Sequence, residues 1–159
     1  MAGLYFEDFK VGTVYQHETA RSVTEFDNIW ASFMQLNTQP LHSNFDFVAK
    51  NTQKKKPLFN SLYTLGIITG QASQDLTRGT LLETLLLDEI DFPRSVYAGD
   101  TLYSRTTVTS LDGSSNHNDA GIVELFHEGL NQDSEIVASF KRKLLIRKRN
   151  VAAWMRPPR

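Results

Sequence analysis

The stretch Asn60-Ser61-Leu62-Tyr63-Thr64-Leu65-Gly66-Ile67-Ile68-Thr69-Gly70-Gln71-Ala72-Ser73-Gln74-Asp75-Leu76 decides the fold. Asn60 or Ser61 can cap a helix over Leu62 to about Leu76, because a short side-chain oxygen accepts a bond from an unpaired N–H of the first turn. Leu62, Leu65, Ile67, Ile68 and Ala72 put apolar groups on most faces, and Gly66 and Gly70 allow close approach. A helix apolar on most faces is a buried one. A single buried helix needs other structure wrapped around it.

The residues that follow supply the wrapping. Thr80 to Phe92 is strand-like and rich in Leu and Ile. Thr101 to Leu111 alternates through Tyr103, Arg105, Thr107 and Thr109, and Ile122 to Leu130 alternates again. Asp112-Gly113 through Ala120-Gly121 is a polar hairpin loop. Ser134 to Arg149 is a long last strand. Helices early and strands late predict an α+β fold, and short consecutive connections predict an antiparallel sheet. The expected architecture is a single hotdog domain over residues 1–150: a curved antiparallel β-sheet around a central buried α-helix. Residues 151–159 are expected to be a disordered tail, since Pro157-Pro158 continues neither a helix nor a strand.

Upstream of the central helix, Val14 to Val23 reads as a first strand. Thr24 followed by Asp27 is a capping-box pattern, and the helix from Glu25 to Met34 is expected to bury Phe26, Ile29, Trp30 and Phe33. Ser43 and Asp46 repeat the pattern ahead of a short helix toward Lys50. Lys54-Lys55-Lys56-Pro57 is a solvated basic loop.

Composition is that of an ordinary globular chain, with 159 residues, 40% hydrophobic and 22% charged. No apolar run approaches the ~18 residues of a membrane span, and no signal peptide is evident. The absence of cysteine excludes disulfides, thiolate metal sites and a cysteine nucleophile. A cytoplasmic location is expected. Charge is uneven: residues 1–140 carry all 18 acids and 9 bases, whereas 141–159 carry 8 bases and no acids. Such a basic strip either keeps an edge strand soluble or attracts phosphate. A nucleic-acid role would rest on that strip alone, and none is expected.

The chemistry concentrates in Asn37-Thr38-Gln39-Pro40-Leu41-His42, a polar loop stiffened by proline that ends in a histidine at a loop–helix junction. Histidine serves there as a general acid or base because its pKa lies near neutrality. His17 and His127 lie on expected strands and His117 in the hairpin loop. None has a second ligand at metal spacing, so no metal is expected. Ser61 and His42 do not make a nucleophile pair, since no Gly-x-Ser-x-Gly elbow surrounds the serine.

From Tyr5 to Arg149 the chain resembles the MaoC-like dehydratases, which include the (R)-specific enoyl-CoA hydratases. The likeness rests on Tyr5-Phe6-Glu7-Asp8-Phe9-Lys10-Val11-Gly12, Arg21-Ser22-Val23-Thr24-Glu25-Phe26-Asp27, Pro40-Leu41-His42 and Phe92-Pro93-Arg94-Ser95-Val96-Tyr97-Ala98-Gly99-Asp100-Thr101-Leu102. Asn37 to His42, Asn60 to Gly66, Asp88-Glu89 and Asp119 to Val123 are most similar to the mesaconyl-CoA or itaconyl-CoA hydratase branch.

The resemblance implies reversible hydration of a short or branched enoyl-CoA thioester by a homodimer or higher oligomer. Coenzyme A would enter as part of the substrate, and no separate cofactor is implied. In the family pattern Gly-Asp-x-Asn-Pro-Leu-His, the Asp and His form the catalytic dyad. Here His42 keeps the histidine place, Asn37 stands for the Asp, Leu36 for the Gly and Gln39 for the Asn. An amide orients water but does not deprotonate it. Either His42 acts alone, or Asp88 or Glu89 replaces the acid, or the chain binds acyl-CoA without turnover. A hotdog acyl-CoA thioesterase is the other alternative. The resemblance also assigns the backbone N–H of Ser61 to the oxyanion and Arg94 to the CoA phosphates.

Overall fold

The computed structural model describes residues 3–113 and 118–149. A short 3-10 turn, Phe6–Asp8, leads into β1 (Val14–Gln16) and β2 (Arg21–Ser22). The helices α1 (Glu25–Met34), α2 (Pro40–Ser43), α3 (Phe45–Asn51) and α4 (Ser61–Leu76) follow. Then come β3 (Leu81–Asp91), β4 (Thr101–Asp112), β5 (Ala120–Leu130) and β6 (Ile136–Arg147). The expected tail and His117 lie outside the described residues.

All pairings are antiparallel, in the order β1-β4-β5-β6-β3, with β2 beside β4. The four late strands expected from the sequence are present. The single early strand is not: it splits in two, because the chain turns inward at His17. That ring bonds Asp75 of α4 and Thr106 of β4.

The sheet curves over α4. Thr64, Ile67, Ile68, Gln71, Ala72 and Leu76 are buried along one stripe of the helix, against Leu102 and Val137 at one end and Phe140 at the other. Burying each large apolar side chain contributes about 1.5–3 kcal/mol. The helix is less enclosed than its composition suggests. Leu62 is 61% exposed, and nothing lies within contact distance of a methyl built at Gly66 or Gly70. The tight approach falls instead at Gly129 of β5, where a methyl would overlap the Ile68 side chain.

Helix α1 reverses the expected face. Phe26 and Phe33 are 72% and 73% exposed, and Ile29 and Trp30 also face outward. The buried residues are Asp27, Asn28, Ala31 and Ser32. Asp27 and Asn28 win that face because their bonds are completed there. Asp27 receives Arg21 at 2.5 Å and closes the Thr24 capping box, and Asn28 makes three bonds to neighbouring segments. Helix α3 is capped one residue later than expected, by Asn44, which accepts from the Phe47 N–H at 2.9 Å. Ser43 ends α2, and Asp46 pairs with Lys50.

The basic strip is also rearranged. β6 is an interior strand, between β5 and β3. Lys141 pairs with Glu89, Lys143 with Glu124 and Arg149 with Asp8. The acids of flanking segments absorb these cations. The edge on that side is β3, where Leu85, Leu86, Leu87 and Ile90 are 41–50% exposed.

Candidate functional site

Two helix starts meet at the mouth of α4. Pro40 fixes the entry to α2, a favoured place for proline because no N–H is needed there. The short α2 holds His42, which is half-buried. The His42 Nδ1 lies 2.7 Å from the Leu58 carbonyl oxygen. A carbonyl only accepts, so Nδ1 carries the proton and the neutral ring keeps its lone pair on Nε2.

Leu58 continues into Phe59 and Asn60, the cap of α4. The Asn60 Oδ1 accepts from the Tyr63 N–H at 3.1 Å, and its carbonyl accepts from Thr64. Capping leaves the Ser61 and Leu62 amides without a partner among the described residues. A helix N-terminus of this kind presents aligned N–H dipoles to negative charge. A cavity of about 150 Å³ opens beside it, lined by Leu58, Phe59, Ser61, Thr64, Phe92 and Arg94 together with Ser95, Val96 and Val137. Arg94 is more than half exposed and is steadied by Glu135 at 3.3 Å.

The structure thus brings Ser61 and Arg94 to one cavity and ties His42 to its rim through Leu58. Asn37 precedes them in the loop. Its Oδ1 accepts from the Gln39 N–H at 3.0 Å, which shapes the entry to Pro40, and its amide nitrogen has no partner among the described residues. Asp88 and Glu89 are elsewhere. They line a separate depression with Leu86, Glu124, Lys141, Arg142 and Lys143, and Glu89 is held by Lys141 at 2.7 Å. Neither bonds to His42 or lines the cavity at Ser61.

Sequence reasoning missed Asn28. It is 3% exposed and donates to both the His42 and Leu58 carbonyls. A single asparagine inside a helix carries no pattern. The only signal was that it follows the capping-box aspartate.

A curved antiparallel sheet over one central helix is the hotdog fold, shared with a solved MaoC domain protein. A family model described as Mesaconyl-CoA hydratase matches residues 1–153, and the chain belongs to that family. It is 28% identical over 152 residues to a mesaconyl-CoA hydratase of Cereibacter sphaeroides, covering 96% of this chain and 43% of that protein. It is 29% identical to a beta-methylmalyl-CoA dehydratase of Chloroflexus aurantiacus, over 93% of this chain and 41% of that one. A solved structure from Chloroflexus aurantiacus, described as a MaoC domain dehydratase, superposes with a TM-score of 0.85 at 28% identity, over 96% of this chain and 43% of that one. The chain therefore spans less than half the length of the curated relatives it matches.

Proposed function

We propose that the chain carries out reversible hydration of a short, branched enoyl-CoA thioester of the mesaconyl or itaconyl type. The observation that carries this reading is the His42–Leu58 contact, which leaves Nε2 unprotonated on a ring tied through Leu58 to the rim of a cavity at a helix N-terminus. Nε2 removes a proton from water as the oxygen bonds to C3 of the enoyl group. The C2=C3 electrons move toward the thioester, and the resulting enolate oxygen takes hydrogen bonds from the Ser61 amide. The imidazolium then returns its proton to C2, so one water is added and His42 is regenerated. Asn37 holds the water through its free amide, and Arg94 meets a phosphate of the CoA portion. The names of the relatives support the substrate class.

Association with a second hotdog unit, here another copy of the chain, fits the unpaired apolar edge of β3. Sedimentation of Leu86→Lys protein as the same dimer as wild type would refute pairing through that edge.

Incubation with crotonyl-CoA, mesaconyl-CoA and itaconyl-CoA tests the reaction. Loss of the enoyl absorbance without free thiol is the expected result. Thiol release would instead identify a thioesterase, and binding without change an acyl-CoA-binding protein.

A further inference from the structure

Asn28 commits both its donors and its oxygen to the two segments that form the site. Its Nδ2 donates to the His42 carbonyl at 2.9 Å and to the Leu58 carbonyl at 3.1 Å. Its Oδ1 accepts from the Asn60 N–H at 2.9 Å. An asparagine offers two N–H donors and one amide oxygen, so all of them are used. The amide cannot be flipped: two carbonyls require the donors and one N–H requires the acceptor.

The three partners have separate consequences. The Leu58 carbonyl is the same oxygen that receives the His42 ring. Asn60 is the residue that caps α4 and, through Nδ2, bonds Gln35 Oε1 at 3.0 Å. Asn28 therefore touches the backbone of His42, the carbonyl that orients its ring, and the cap that orients the Ser61 amide. We infer that Asn28 is a positioning residue, which sets the His42 ring and the N-terminus of α4 in one frame from the buried side of α1. Burial makes this arrangement stiff, because an unpaired polar group there is costly and no water competes for the bonds. It also accounts for the inverted α1. The helix turns a polar face inward because this asparagine must reach three backbone groups.

The kinetic part rests on the proposed hydratase reading, and the spectroscopic part does not. Nitrogen–proton correlation NMR of the wild-type protein is expected to show His42 as a single Nδ1–H tautomer. Asn28→Asp keeps the size and the Oδ1 acceptor and replaces both donors with an oxygen facing two carbonyls. In that variant the His42 ring is expected to become a mixture of tautomers, with kcat lowered about tenfold or more and KM within about threefold. A residue that only stabilised the fold would lower the melting point and leave the tautomer and the kcat of folded protein unchanged. Wild-type His42 protonated on Nε2 would overturn the inference without any variant, which covers the case in which Asn28→Asp does not fold. A folded variant that keeps the Nδ1–H tautomer would overturn it too. Wild-type protein that turns over no enoyl-CoA would refute the hydratase reading, and the tautomer would still decide the role of Asn28.

Discussion

The His42 Nδ1 and the Leu58 carbonyl oxygen are 2.7 Å apart, and that contact selects the nitrogen on which any proton transfer must occur. With Nδ1 committed to the backbone, Nε2 is the nitrogen that the proposed hydration uses. The contact separates His42 from the other two described histidines. His17 has both nitrogens engaged, by Asp75 and Thr106. His127 is fully buried.

Removing the imidazole is therefore expected to remove the reaction. His42→Ala should lower kcat by about 10²–10⁴-fold, the usual contribution of a positioned acid–base group. The thioester still has Ser61, Arg94 and the cavity walls, so KM should move much less. Steady-state kinetics on mesaconyl-CoA checks this, and a variant with more than a third of wild-type kcat would refute the mechanism.

Asp88→Asn and Glu89→Gln address the replacement acid. Both residues belong to the depression on β3, and Glu89 is engaged by Lys141. Each variant is expected to keep kcat within about twofold. The ion pair is largely exposed, so its loss should cost little stability, about 0–1 kcal/mol. A drop of tenfold or more in either would mean that the acid acts across an interface with another copy.

The sheet was legible because alternation marked β4 and β5 and a Leu- and Ile-rich run marked β3, and strands β3 to β6 were found nearly to their ends. Helix α1 was legible in extent and not in orientation. Its capping box fixed the start, but the apolar spacing of Phe26, Ile29, Trp30 and Phe33 says only that those side chains share a side. It does not say whether the protein's own core covers that side. The bonds of Asp27 and Asn28 decided the matter, and apart from the Thr24 cap those partners are 6 to 32 residues away in sequence. The position of His42 was readable from its proline-bounded loop. Its tautomer was not, because a backbone carbonyl 16 residues downstream sets it. The basic strip misled for the same reason: its partners Glu89 and Glu124 come from other strands.

Gly129 tests how closely α4 is seated. A methyl there meets the Ile68 side chain, and overpacking of this kind costs about 1–3 kcal/mol. Gly129→Ala should lower the urea midpoint accordingly. Ile68→Val removes the terminal methyl and alone costs about 0.5–1.5 kcal/mol. Combined, the two should be less damaging than the sum of their separate effects, which a double-mutant cycle measures. Strict additivity would mean that helix and strand do not meet at this point.

Acid should weaken the fold through His127. The ring is fully buried, stacks on Phe140 with centroids 4.7 Å apart, and bonds Thr106 Oγ1 at 2.9 Å through Nδ1. Its Nε2 has no partner among the described residues. Burial, then the charges of Arg142 and His17, push its pKa down from 6.5 to about 3. The folded protein thus keeps the ring neutral, whereas the unfolded chain protonates it below about pH 6.5. Stability from this group is complete above that pH and is lost as the pH falls toward 3, by at most about 1.4 kcal/mol per unit. By about pH 5 the loss from His127 should be near 2 kcal/mol. Urea unfolding at about pH 7, 6 and 5 should show this slope in the wild type and a shallower one in His127→Gln, whose side chain does not titrate. All other groups are common to both proteins, so the difference between the two curves isolates His127. Parallel curves would show that the buried ring takes up its proton without unfolding.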